Sequence, residues 1–140
     1  MTITYNDTLK TLPFDQLHRL FTAVGWSDDE PLPENMKKGF MQSWLNSTLV
    51  VSAWNGDKLV GAVRVLSDTI FRSVIYDLLV DPDYQGIGIG KKLVEMCIAY
   101  YPDSEWLVGM DKKNIGFYEK CGFKPTLETG CFMVIPCKLF

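Results

Sequence analysis

The chain is poor in the residues that build metal centres. It has a single histidine, His18, and four cysteines, Cys97, Cys121, Cys131 and Cys137, with no Cys-x-x-Cys pair among them. A zinc site needs clustered ligands, so no metal is expected. The cysteines read instead as free thiols that pack as small hydrophobes in a reducing compartment. Long apolar runs are missing too: none approaches the roughly 18 residues that cross a bilayer, which argues against a membrane span. The N-terminus, Met1-Thr2-Ile3-Thr4-Tyr5-Asn6, lacks the basic and apolar regions of a secretory signal, and a cytoplasmic location is expected. There is no excess of positive charge. Lys and Arg number 14 against 17 Asp and Glu, for a net charge of -3, which disfavours a nucleic-acid surface and is compatible with cationic small molecules. Repeats and linker-like runs of Pro, Gly or Ser are absent as well.

What remains is the size and composition of one globular domain spanning 1–140, with 47% hydrophobic and 22% charged residues. After a short strand near the start, Leu17, Leu20, Phe21 and Val24 recur at helical spacing up to Gly25. The acidic, proline-punctuated stretch Ser27–Pro33 reads as a loop bordering a substrate site, and a second helix is expected from Glu34 to Asn46. Thr48–Trp54 and Lys58–Leu66 are rich in β-branched residues and flank Asn55-Gly56, which predicts a hairpin with a type I′ turn. Val74–Val80 is a further strand, ended by Asp81-Pro82-Asp83. Leu93, Val94, Cys97, Ile98 and Tyr101 mark a helix that stops before Pro102. A strand at Trp106–Met110, a short helix from Asn114, which can cap it, to Cys121, and a last strand at Phe132–Leu139 complete the order. The class is α/β or α+β: a mixed, mostly antiparallel sheet flanked by helices, with at least one parallel crossover.

The segment from Val80 to Lys91 passes from strand to helix through Gln85-Gly86-Ile87-Gly88-Ile89-Gly90. Alternating glycines let successive N–H groups converge on one concavity and let a phosphate approach without meeting a Cβ. The helix behind adds free N–H groups and the positive end of its dipole. Lys91 and Lys92 either add charge or face solvent. A nucleotide P-loop does not fit, because Gln85 stands where its first Gly belongs and Lys92 where its Ser or Thr belongs. A dinucleotide fingerprint fails on spacing and on its position past the midpoint of the chain.

Gln85–Gly90 resembles the Gln/Arg-x-x-Gly-x-Gly/Ala acyl-CoA signature of the GNAT superfamily of acetyl-CoA-dependent N-acetyltransferases. Downstream, Asn114-Ile115-Gly116-Phe117-Tyr118-Glu119-Lys120-Cys121-Gly122-Phe123 is similar to that superfamily's Asn…Phe/Tyr-Tyr-x-x-x-Gly-Phe segment. Together the two motifs cover most of Ile75–Phe123. Val24-Gly25-Trp26 and the run Val63–Asp68 look like small bacterial and plastid-type members.

The resemblance implies a central strand that splays from its neighbour near Leu78, Leu79 and Val80, so that freed main-chain groups bind the pantetheine of acetyl-CoA as an added strand would. It implies that the N–H near Leu78 or Leu79 polarises the thioester carbonyl. It places the pyrophosphate on Gln85, Gly86, Ile87, Gly88, Ile89, Gly90 and Lys91, with Asn114 and Phe117 alongside. Asn114 reads equally as a plain N-cap. An acyl thioester is already activated, so direct attack by a primary amine in a ternary complex is expected, without a covalent enzyme intermediate. Tyr118 matches the family's general acid for the leaving thiolate; a tyrosine that merely packs beside Phe117 is the structural alternative. Alternation sends the side chains of Asp77 and Tyr76 to opposite faces, so only one of them faces the groove; Asp77 is favoured as the base, with a strand-edge carboxylate held by a structural partner as the alternative. Trp26, Trp44 and Arg64 are acceptor-site candidates better explained by core packing or an ion pair. A non-catalytic acyl-CoA-binding module is the competing reading. The expected partners are acetyl-CoA and an amine of a small molecule or protein, without nucleic acid or membrane. A homodimer fits exposed sheet ends, though no sequence feature decides it.

Overall fold

In the computed structural model, which describes residues 1–109, 111–125, 133 and 135–139, a five-stranded sheet runs in the order β1-β2-β3-β4-β5. The strands are β1 (Ile3–Asn6), β2 (Leu49–Asn55), β3 (Lys58–Ser67), β4 (Arg72–Val80) and β5 (Glu105–Val108). The first four pair antiparallel, and β5 adds to β4 in parallel through a crossover that carries the glycine loop and a helix. This is the mixed, mostly antiparallel architecture expected from the sequence.

Helices cover both faces. On one side lie α1 (Phe14–Ala23) and α2 (Glu34–Leu45), whose Leu17, Leu20 and Trp44 pack with Leu12, Val50, Leu59, Ala62 and Leu79. On the other, α3 (Ile89–Tyr100) lays Ile89, Leu93, Val94 and Cys97 on Val51, Val60, Val63, Val65 and Ile75. Each such Leu or Ile taken out of water contributes about 2 kcal/mol. With both faces covered, β2 reads as an almost unbroken apolar run, buried from Leu49 to Ala53. Gln16 ties α1 to the hairpin: its amide donates to the Asp57 carbonyl (2.9 Å) and its carbonyl accepts from the Leu59 N–H (2.7 Å). Gly61 sets the height of α3 over the sheet, because a Cβ there would meet Leu93 Cδ1 at 3.1 Å and Ile89 Cγ2 at 3.2 Å.

Three expectations change. The hairpin turn is centred one residue later, since Asn55 pairs with Lys58 and the central residues are Gly56 and Asp57. Only Gly56 has positive φ (59°), whereas a type I′ turn needs two such residues. The side chain of Asn114 makes no capping bond. A 3₁₀ turn over Lys112–Asn114 runs directly into α4 (Ile115–Lys120), so Asn114 already has helical backbone in place of the extended conformation an N-cap requires. The strand expected at Phe132–Leu139 falls partly on residues outside the described set; its described part, Met133 and 135–139, carries no strand. Met110, the expected end of β5, is also outside that set. No described helix is long and apolar enough to cross a membrane.

Candidate active site

The site begins with a mismatch of strand lengths. β4 has nine residues, but among the described residues β5 pairs only with Arg72–Ile75, so Tyr76–Val80 have no β5 partner there. Main-chain orientation there follows from two hydrogen bonds. The Asp81 N–H donates to the Val60 carbonyl (2.9 Å), which turns Asp81 toward β3, and the Val80 carbonyl on the opposite side accepts from the Gln85 side-chain amide (2.9 Å). Alternation along an antiparallel strand then points the N–H of Leu78 into the open side and that of Leu79 toward β3. The two positions that the sequence left equivalent are thereby distinguished.

A bulge decides which side chains follow. Arg64 pairs with Asp77 and Val65 with Ile75, leaving Tyr76 as the extra residue. The extra residue reverses the alternation. Ile75 packs on the α3 face, yet Leu79, four residues on, packs on the α1–α2 face. Leu78 and Val80 therefore project to the α3 side, beside the glycine loop.

The cleft beside them encloses about 680 Å³ and is lined by Leu78, Val80, Tyr84, Gln85, Gly86, Gly88, Ile89, Gly90, Lys91, Asn114, Phe117 and Tyr118, together with Val24, Trp26, Asp111, Lys113, Lys120 and Cys121. Gly86 and Gly88 have φ of 81° and 94°, a backbone that a side chain would strain. Gly88 is the N-cap of α3 with no side chain in the way, and the first amides of that helix have no intrahelical acceptor. Phe117 closes on Gly90, where a Cβ would meet its ring at 3.2 Å. The loop is anchored from below. Asp81 accepts from the Asp83 N–H (2.9 Å) at the start of the 3₁₀ turn Pro82–Tyr84, and from Arg19 (2.9 Å), with Lys58 at 3.9 Å. Burial pushes the Asp81 carboxyl up, but Arg19, the Asp83 N–H and Lys58 more than offset this and leave it below the usual carboxylate range.

A second cavity of about 320 Å³ adjoins the first and shares Trp26, Leu78, Asp111, Asn114 and Tyr118 with it, adding Ile75, Tyr76, Val108 and Gly109. Tyr118 thus stands where the two meet. Its ring is 9% exposed and wedged between Phe117 (4.9 Å) and Phe123 (5.7 Å). Burial, and to a lesser degree Cys121, pushes its hydroxyl up to about 12, so it holds its proton throughout the neutral range.

The remaining expected site residues divide between the cavities and other parts of the fold. Asp77 lines neither cavity: its carboxylate accepts from Arg64 Nε at 2.6 Å, and Arg64 also reaches the Ser43 carbonyl and the Ser47 hydroxyl, both at 3.4 Å. The bulge puts Asp77 on the α2 side of the sheet. The Leu79 side chain is core, and Ile87 is 55% exposed and lines neither cavity. Lys91 reaches the cleft while also lying 3.9 Å from Glu95. Trp44 is core and Arg64 an ion-pair member, as favoured from sequence, but Trp26 is 56% exposed at the rim of both cavities. Tyr84, Asp111, Lys113 and Lys120 were not singled out by sequence. Asp111 carried one signal, its place three residues before the Asn114 motif. Among the described residues no group of His, Cys, Asp and Glu could hold a metal ion.

The sequence model of the acetyltransferase (GNAT) family matches residues 13–123. The chain belongs to the GNAT acetyltransferase family. It is 30% identical over 122 residues to the uncharacterized N-acetyltransferase ycf52 of Pyropia yezoensis, covering 85% of this chain and 69% of that protein. It is 32% identical over 131 residues to GCN5-related N-acetyltransferase 2, chloroplastic, of Arabidopsis thaliana, covering 80% of this chain but only 50% of the relative. Among solved structures, a GNAT family acetyltransferase from Streptococcus pneumoniae superposes with a TM-score of 0.79 at 25% identity, covering 98% of each chain. The end of the β4–β5 pairing at Ile75 among the described residues is consistent with the GNAT family assignment.

Proposed function

We propose that this GNAT protein is an N-acetyltransferase that moves an acetyl group from acetyl-CoA to a primary amine by direct attack in a ternary complex. The observation that carries the reading is the unpaired end of β4 opening onto a glycine loop at a helix N-terminus, with a protonated tyrosine at the far end of the same cleft. The open main-chain groups of Leu78 and the Val80 N–H suit the pantetheine amides, and the bare backbone at Gly86 and Gly88 with the α3 amides suits the pyrophosphate. Gln85 supports the loop twice over, its side-chain amide holding the Val80 carbonyl and its own N–H donating to the Pro82 carbonyl at 3.4 Å. Lys91, Asn114 and Phe117 border the same path. Acetyl-CoA supplies an activated acyl group, and the protein's part is alignment, carbonyl polarisation and proton handling.

The Leu78 N–H polarises the thioester carbonyl, and Tyr118 donates to the departing sulfur. An alkyl amine is mostly ammonium at pH 7, and presenting it neutral costs about 4–5 kcal/mol. The proton leaves to water, because Asp77 is committed to Arg64. The chain spans half to about two thirds of the length of the two N-acetyltransferase relatives from Pyropia and Arabidopsis, and the activity proposed is that of residues 1–140 as one catalytic domain. Cys97, Cys121 and Cys137 are free, which supports a reducing compartment, proposed as the cytoplasm. The chloroplastic name of the Arabidopsis relative is compatible with the same redox setting.

The test is turnover. Acetyl-CoA is mixed with the protein and a panel of primary amines, and thiol release is followed together with the mass of the acetylated product. Acetylated amine in step with free thiol is expected. No release above uncatalysed hydrolysis with any amine would overturn the assignment.

A further inference from the structure

The two adjoining cavities differ in charge. The larger is lined by Lys91, Lys113 and Lys120, with Asp111 on the edge that it shares with the smaller one. In the smaller one Asp111 is the only charged residue among the described residues, and the walls beside it are aromatic, from Trp26, Tyr76 and Tyr118. The other acids around the site are already engaged: Asp77 by Arg64 and Asp81 by Arg19. Asp111 differs. Its carbonyl accepts the Asn114 N–H (2.9 Å), but its carboxylate makes no capping bond and no ion pair among the described residues. An unpaired carboxylate facing aromatic walls is the arrangement that holds an organic cation, through charge-assisted hydrogen bonds and the negative faces of the rings.

Resting on the acetyltransferase reading, we propose that the smaller cavity is the acceptor site, that Asp111 selects acceptors by their positive charge, and that the substrate class is cationic alkylamines carrying no carboxylate or phosphate. A substrate carboxylate in this cavity would lie close to Asp111, and the like charges would repel even though Asp111, Trp26 and Tyr76 are open to solvent. Asp111 is a specificity residue in this scheme and takes no proton. Attack forms the N–C bond as the C–S bond breaks, the thiolate takes a proton from Tyr118, the amide nitrogen returns one to Tyr118, and the proton shed by the ammonium goes to water.

The experiment compares n-butylamine, 1,4-diaminobutane and 4-aminobutyrate, which present the same amine and differ at the remote end, with wild type, Asp111→Asn and Asp111→Glu. Acetyl-CoA binding to each protein is measured alongside by calorimetry. Wild type is expected to acetylate the diamine and the monoamine at least tenfold more efficiently than 4-aminobutyrate. Asp111→Asn should raise KM for 1,4-diaminobutane, whose remote ammonium stays charged while the other nitrogen attacks, about tenfold, the size of a lost charge-assisted hydrogen bond, and change KM for n-butylamine less. It should narrow the discrimination against 4-aminobutyrate, leave acetyl-CoA affinity within twofold, and be rescued by Asp111→Glu. Unchanged acceptor KM and selectivity in Asp111→Asn, with acetyl-CoA still bound and turned over, would overturn the acceptor assignment alone. Absence of acetyl-CoA binding in wild type would overturn the acetyltransferase reading and this one with it.

Discussion

Replacing Tyr118 by Phe removes one oxygen at the junction of the two cavities and little else. The ring keeps its contacts with Phe117 and Phe123, and the hydroxyl has no protein partner that accounts for its raised pKa, which comes from burial and Cys121. Folding stability should therefore change by less than about 1 kcal/mol. The catalytic cost can be worked from the leaving group. A thiol with pKa near 8.5 lies about 1.5 units above pH 7, so expelling it unprotonated costs about 2 kcal/mol, a factor of about 30. General acids contribute about 10²–10⁴, and a thiolate, being a fair leaving group, belongs at the low end. Tyr118→Phe is expected to lower kcat by about 30- to 100-fold with KM for acetyl-CoA within twofold, measured by steady-state thiol release. Because the hydroxyl keeps its proton up to about 12, the wild-type rate should show no alkaline decline between pH 7 and 10. A kcat within threefold of wild type, or an alkaline decline below pH 10 that the Phe variant lacks, would refute the role.

Asp81→Asn should cost about 2 kcal/mol in urea unfolding, below the usual 3–5 for a broken buried pair because Arg19, 39% exposed, can rehydrate. The Asp81 carboxyl is held below its unfolded value, so its stabilisation is present above about pH 4 and lost as pH falls through the folded value. The variant should accordingly lose less stability than wild type between pH 5 and 3, and a parallel decline would contradict this. Gly61→Ala should destabilise by about 1–3 kcal/mol, since the new Cβ meets Leu93, Ile89 and the Leu79 carbonyl at 3.1–3.3 Å; an unchanged melting temperature would show that α3 yields freely. Asp77→Asn should weaken folding by about 1–2 kcal/mol while changing kcat less than tenfold, because it strands Arg64 and leaves the cavities untouched. A hundredfold loss of kcat in a fully stable variant would restore Asp77 as a base.

The elements were legible because their signals are local. Leu17 and Leu20 at helical spacing, the β-branched runs of β2 to β4 and the glycines before α3 each report on their own neighbours. The shape of the glycine loop was legible for the same reason, since Gly86 and Gly88 take the positive φ that their own lack of a side chain allows. The proton-handling side chains were less so. Alternation sends Asp77 and Tyr76 to opposite faces, as found, but the extra residue at Tyr76 decides which face each takes: Tyr76 lines the smaller cavity and Asp77 goes to Arg64. A bulge is a property of two strands in register, and neither strand announces it alone. Asp111 was passed over because a carboxylate in a short loop looks solvated until the cavity behind it is known. Trp26 was misjudged in the other direction, as large aromatics are usually buried and this one lies at a rim.

The account rests on the glycine loop as the site of the acetyl-CoA pyrophosphate, and calorimetric titration of acetyl-CoA into wild type and Gly88→Glu tests it most directly. At Gly88 a Cβ meets nothing within 4 Å, but φ is 94°, so the substitution strains the loop locally and sends a carboxylate toward the helix amides without disturbing the core. Micromolar binding by wild type, lost in a Gly88→Glu variant that melts as a folded protein, is the result expected. Equal binding by the two proteins, or none by wild type at millimolar acetyl-CoA, would contradict it.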